Sequence, residues 1–357
     1  MRNKEDIKQI LDHLQSTENR DLKFDEEAIF AAYEKNDDHQ SLAIKILSIF
    51  GGIFASITFL GFLLIAGLYD SETGLIVFGI ISIIGGVFVN KLYNKTIIDT
   101  VSISFYIIGF ILLAMGLFKM EITENSVSLT FMLIAMVSLI IARSYILTFV
   151  SILIISGAIL ALIASNDKFD LAHIYTSSLA IILTFFFLKE AKIISINSAF
   201  SKLYNPIRIA LVFSFLAGLI ILNQTDFITV SHDYIWISSI FIILAILYLL
   251  THLFQVLNIT KAQHKVGIYA LSIIILLPTV LSPAISGAIL IILLSFLVNY
   301  KTSLVIGIAA FIYFISRYYY DLHFTLLTKS ILLFSSGILF LGLYLLTHKK
   351  LTSNEKV

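Results

Sequence analysis

From Ile44 onward the chain alternates long apolar runs with short polar breaks, and most runs are too long and unbroken to be strands. Twelve can be marked: 44–68, 74–90, 101–118, 127–142, 145–164, 172–188, 207–222, 234–254, 266–281, 283–298, 303–316 and 325–346. Each reads as a helix that crosses a bilayer. Several fall short of the roughly 20 residues that a perpendicular crossing needs, a deficit absorbed by snorkelling ends or local thinning. The pattern predicts an all-α polytopic transmembrane bundle of about twelve spans over residues 44–346, followed by a basic tail at 347–357. Residues 1–43 follow a different rule. Ile7, Ile10, Leu11 and Leu14 share one helical face, Asp25 is placed to cap a second short helix with Ile29, Phe30 and Tyr33 as its stripe, and Asn36 stops it. This leader is expected to be an acidic cytosolic helical hairpin that docks on the bundle or on a partner, because two such helices bury little alone.

The charge-free stretch from Val266 to Tyr300 decides the parity of the topology. Pro278, Ser282 and Pro283 break it, so it reads as two spans, with Pro283 as the first residue of the second helix. With the N-terminus inside, twenty of the 24 Lys and Arg then fall on one side, against Lys119, Lys168 and Arg317 on the other and Lys329 within the membrane. Basic residues are retained on the cytoplasmic side, so both termini are expected there. Asp70, Glu72, Glu121, Glu124, Asp167, Asp170, Asp226, Asp233 and Asp321 make the opposite side acidic, with His173, His232 and His323 on or near it.

Composition narrows the chemistry. The 357 residues are 59% hydrophobic and 13% charged, about half the charge of a soluble domain. A chain without cysteine has no disulfides, thiolate nucleophiles or cysteine metal sites. The scattered carboxylates and histidines carry no ligand spacing, so no metal and no cofactor are expected. No basic patch is dense enough for nucleic acid. The P-loop, the dinucleotide fingerprint and the paired-aspartate transferase motif are all missing, and the spans lack deeply placed ionisable groups apart from Lys329, so neither an enzyme nor a proton-coupled carrier is expected. No signal peptide is expected either, since the first apolar run stands behind a charged segment. Small residues four apart (Gly51 and Ala55, Gly52 and Ser56, Ser82 and Gly86, Gly157 and Ala161) offer close helix approach. Tyr69, Tyr93, Tyr175, Tyr204, Tyr234, Trp236 and Tyr300 read as interfacial belt residues.

One stretch stands out from this background. In RYYYDLHFTLLTKS, residues Arg317, Asp321, Thr325 and Lys329 are four apart and form a stripe on a helix, flanked by Tyr319, Tyr320, His323 and Ser330. This is the candidate functional polar cluster, in which Asp321 is expected to hold the Lys329 ammonium if a turn folds it back.

Twelve spans with their longest connection at 189–206 share the layout of major facilitator transporters, but the loop NKLYNKTIIDT from Asn90 lacks the acidic and arginine-rich pattern of that superfamily. Two other regions carry a closer likeness. SLAIKILSIFGGIFASITFLGFLLIAGL from Ser41 and YYYDLHFTLLTKSILLFSSGIL from Tyr318 resemble a family of uncharacterised bacterial multi-pass membrane proteins, a domain of unknown function associated with GDYxxLxY membrane proteins. The resemblance points to Tyr319, Tyr320, Leu326, Leu327, Lys329, Ser330 and Gly337 and implies a bacterial inner membrane, with no activity attached. The expected function is a structural or accessory membrane protein acting with the lipid bilayer and another membrane protein; the alternative is a carrier of a small or lipid-like solute.

Overall fold

The structure is a computed structural model. It describes residues 65–92, 96–141, 144–223, 234–257, 259 and 261–321, together with 51, 54–55, 57–63, 327, 330–331, 334–335, 337–338 and 341–342 of the flanking apolar segments. The chain divides into two units, Met1–Phe62 and Leu63–Val357. In the first, the described residues are helical. The leader hairpin and the basic tail lie outside the described residues.

The second unit is built of helices: α1 (Glu72–Leu92), α2 (Thr96–Lys119), α3 (Glu124–Ile141), α4 (Tyr145–Ser165), α5 (Leu171–Leu188), the one-turn α6 (Glu190–Ile194), α7 (Ser198–Leu222), α8 (Ile235–Val256), α9 (Ala262–Leu276, continued by a 3-10 turn over Leu277–Leu281), α10 (Pro283–Leu297) and α11 (Lys301–Asp321). Nine helical segments among the described residues are long and apolar enough to cross a membrane, and α10 is a shorter apolar helix. Ten of the twelve marked runs therefore stand as helices, and the Val266–Tyr300 stretch divides at Ser282, with Pro283 opening α10. The segment 189–206 is not an open connection: α6 and the first two turns of α7 occupy most of it.

Three hairpin turns close by the same device. Glu121, Asp167 and Asn299 adopt left-handed backbone (φ 55°, 53° and 55°), two residues beyond the ends of α2, α4 and α10. In each, the following amide reaches back five residues, Ile122 to Leu117, Lys168 to Ile163 and Tyr300 to Ser295, at 3.1, 3.1 and 2.8 Å. These are Schellman closures made without glycine, and they satisfy carbonyls that the helix end would leave bare. Asn and Asp tolerate this backbone; Glu121 meets a steric cost of roughly 1 kcal/mol.

Two apolar cores follow. The first joins Ile83 and Val87 of α1, Tyr106, Phe110 and Leu113 of α2, Ala135 of α3 and Leu147 of α4. Between α1 and α2 the backbones nearly touch. A methyl on Gly79 would lie 2.8 Å from the Leu113 nitrogen, one on Gly86 2.7 Å from the Ser102 carbonyl oxygen, and one on Gly109 2.7 Å from the Gly79 carbonyl oxygen. The Ser102 hydroxyl donates to the Gly86 carbonyl. In hydrocarbon, where lipid tails solvate leucine as well as a neighbouring helix does, this proximity is what holds a helix pair together. Of the small-residue pairs, Ser82 and Gly86 are buried here, whereas a methyl on Gly157 would meet open space. The second core gathers α5, α7, α8, α10 and α11 around Phe187, Phe215, Leu219, Ile242, Ile291 and Phe314, and α4 lies against α7 through the edge-to-face pair Phe149 and Phe213 at 5.8 Å.

Candidate functional site

Charge inside an apolar bundle is costly, so the place where the fold accepts it marks a purpose, structural or functional. Among the described residues, Arg208 is the only Lys, Arg, Asp or Glu that is buried, at 4% exposure. Local structure prepares its setting. α5 ends at Leu188, and the chain turns at Lys189 into α6, whose first residue is Glu190. α7 enters with Pro206 in its third turn, where the ring forgoes an amide bond that an interior helix position would make. The Schellman turn after α10 then sets Tyr300 immediately ahead of α11, and Ser295 donates to Ser303 at 2.8 Å to fix the two helices.

These ends converge on the guanidinium. Nη1 donates to both carboxylate oxygens of Glu190 at 3.2 and 3.3 Å, and Nη2 donates to Asn205 Oδ1 at 2.7 Å. Tyr300 covers the guanidinium at 3.7 Å from its ring centre, with Tyr204 at 4.9 Å and Phe187 at 5.5 Å. Tyr204 is fixed in turn by its hydroxyl bond to the Phe186 carbonyl at 2.9 Å and by stacking on the Phe186 ring. A planar, weakly hydrated cation suits this box of rings, and an ammonium would not fill it. The arrangement binds a charge internally and ties α5, α6, α7 and the α10–α11 turn at one end of the second core.

Arg208 is one of the twenty basic residues expected on the cytoplasmic side, and Tyr204 and Tyr300 are expected as belt aromatics; the burial of Arg208 and Tyr204 lies outside those expectations. Tyr204 and Tyr175 are buried, and Tyr300 is half-buried over the arginine; Tyr69, Tyr234 and Trp236 are exposed, and Tyr93 lies outside the described residues. The usable signal was the spacing of Tyr204 and Arg208, one turn apart beside Pro206.

Other buried polar groups form separate nodes. Asn90 Nδ2 donates to Asp99 and to the Ser144 hydroxyl, both at 2.9 Å, tying the ends of α1, α2 and α4. Deeper in, Tyr106 pairs with Ser151 at 3.0 Å. Ser156 meets the Tyr175 hydroxyl at 2.5 Å, and the latter also donates to the Ser214 carbonyl at 3.3 Å. His173, expected on or near the acidic face, is buried in the first turn of α5 with Nδ1 3.1 Å from Ser238 Oγ. Among the described residues, no three His, Asp or Glu gather as metal ligands.

The sequence-predicted cluster is only partly in view. α11 runs unbroken through Arg317, Tyr319 and Tyr320 to Asp321, and the Tyr319 and Tyr320 rings meet edge-to-face at 5.7 Å. Arg317 and Tyr319 are half-buried and Tyr320 is exposed; Ser330 is helical and exposed. His323, Thr325, Lys329 and the Asp321 side chain lie outside the described residues, and with them the expected ion pair.

The model of a family described as Domain of unknown function (DUF4401) matches residues 41–350. No curated protein and no solved structure matches the chain.

Proposed function

The chain belongs to the DUF4401 family, and on that footing we propose that it is a structural or accessory protein of a bacterial inner membrane, acting with a second membrane protein and catalysing no reaction. The observation that carries this reading is that the arginine box is partnered from within the bundle, Nη1 and Nη2 being bonded and Nε alone lacking a partner. The one buried charge among the described residues faces Glu190, Asn205 and three rings, which makes it a clamp between helix ends. A carrier places its charge along a solute path instead. The second reading, a carrier of a small or lipid-like solute, draws support from the Thr176 and Ser214 hydroxyls, buried near the α5–α7 crossing without hydrogen-bond partners. The two readings part in one experiment. A photo-crosslinking residue at Ile140 on α3 or Ile274 on α9, both strongly exposed, should give a discrete, position-dependent protein adduct in membranes. Lipid adducts alone at both positions would overturn the accessory role.

The proposed topology has twelve spans and both termini in the cytosol, with the acidic leader docked there. Reporter fusions after Asp70, Asp226 and His323 should read as external, and fusions after Lys95, Lys202 and Lys350 as cytosolic. An external reading at Lys350 would remove the twelve-span arrangement.

A further inference from the structure

Two clefts open on the outer surface of the second unit, and they are built alike. The first, about 530 Å³, lies between α1 and α3 and is walled by apolar side chains such as Ile80, Ile84, Val137 and Ile141, with Lys91 as its one charged residue. The second, about 410 Å³, lies between α5 and α8 and likewise carries one charged residue, Lys189. In both, the lysine stands at the C-terminal ends of the walls, which the proposed topology puts on the side crowded with Lys and Arg.

Depth identifies the occupant. From Ile80 to Lys91 is eleven residues, about 16 Å of helix rise, against about 15 Å for half of a ~30 Å hydrocarbon core. The first cleft is one leaflet deep, apolar along its length and cationic at its mouth; the second is shallower, eight residues from Ile181 to Lys189 or about 12 Å of rise, with the same apolar walls and cationic mouth. We propose that each cleft seats an acyl chain of an anionic phospholipid, with Lys91 or Lys189 reaching the headgroup phosphate. An ammonium on a flexible stem serves as such a point-charge partner, while the apolar walls hold the chain. This assignment stands apart from the accessory reading, since it needs only the clefts and their lysines.

The test uses the full chain purified in mild detergent and read by native mass spectrometry with phosphatidylglycerol or phosphatidylcholine of identical acyl chains. The wild type should retain up to two phosphatidylglycerols in preference to phosphatidylcholine. Lys91→Gln and Lys189→Gln should each lower that preference about fivefold at one site, the worth of one basic residue near an anionic surface. Lys91→Arg should keep it. Val137→Trp, which fills the first cleft without touching a charge, should remove one bound lipid of either headgroup. Lys301→Gln lies on the same side but outside both clefts and should change nothing. Equal retention of the two lipids by the wild type, or a loss with Lys301→Gln as large as with Lys91→Gln, would overturn the assignment in favour of unspecific surface attraction.

Discussion

Gly109→Ala is expected to destabilise the protein by about 2 kcal/mol, although alanine is the better helix former by up to ~1 kcal/mol. The new methyl would stand 2.7 Å from the Gly79 carbonyl oxygen and 2.8 Å from the Ile83 nitrogen. Ile83 Cγ1, at 2.6 Å, can swing aside, but these two are backbone atoms on α1 and cannot, so the helices must separate along the face where the Ser102 hydroxyl meets the Gly86 carbonyl. Gly157→Ala supplies the opposite sign on the same physics. Nothing lies within 4 Å of that position, so the propensity gain stands alone and stability should hold or rise by up to ~1 kcal/mol. Thermal unfolding of both variants in one detergent decides the matter. A loss at Gly109 no larger than at Gly157 would mean that the α1–α2 pair is not held by backbone proximity.

The arginine box predicts an asymmetry. Glu190→Gln takes the carboxylate from a guanidinium that stays buried, and breaking a fully buried pair this way costs roughly 3–5 kcal/mol. The Glu190 side chain is 30% exposed, so water takes part of the load and about 2 kcal/mol is expected. Arg208→Met removes the charge along with the need for its partner and leaves an apolar chain among three rings, and the Glu190 carboxylate can turn to solvent. Its cost should stay below ~1 kcal/mol, and Glu190→Gln placed on top of it should add little. The double-mutant cycle measures the coupling; additive losses, or a larger loss from Arg208→Met than from Glu190→Gln, would show that the rings and Asn205 hold the site without the ion pair.

The fold was largely legible, because in hydrocarbon every backbone group must be satisfied within its own helix and long apolar runs have one outcome. The break at Ser282 and Pro283 was legible for a local reason, the missing amide of proline. The site was not. Arg208 sits near the start of an apolar run, where a basic residue ordinarily meets water, and only the three-dimensional return of α6 and of the α10–α11 turn buries it. The glycine contacts were half seen. A four-residue rule found Ser82 and Gly86 but also Gly157, where a methyl would meet open space, and it passed over Gly79 with Gly86 and Gly109 with Gly116. Those pairs are seven apart, two turns on one face, which is the repeat that an antiparallel helix pair reads. The cluster around Asp321 drew notice because its charges are conspicuous in sequence, whereas Asn90, Asp99 and Ser144 meet from three helices and leave no local pattern.

The short helix α10 changes how hydropathy should be used on this chain. Its 15 residues rise about 22 Å, less than a bilayer's hydrocarbon core. Yet nine of them are buried, packed by α5, α7, α8 and α11. Where protein rather than lipid surrounds a segment, the thickness of the membrane no longer dictates its length. A window tuned to lipid-facing helices is therefore blind to the element at the centre of the second core. On the proposed twelve-span topology, a map drawn with such a window would drop the crossing at α10 and place Lys301 and the terminal lysines on the side opposite to the one proposed.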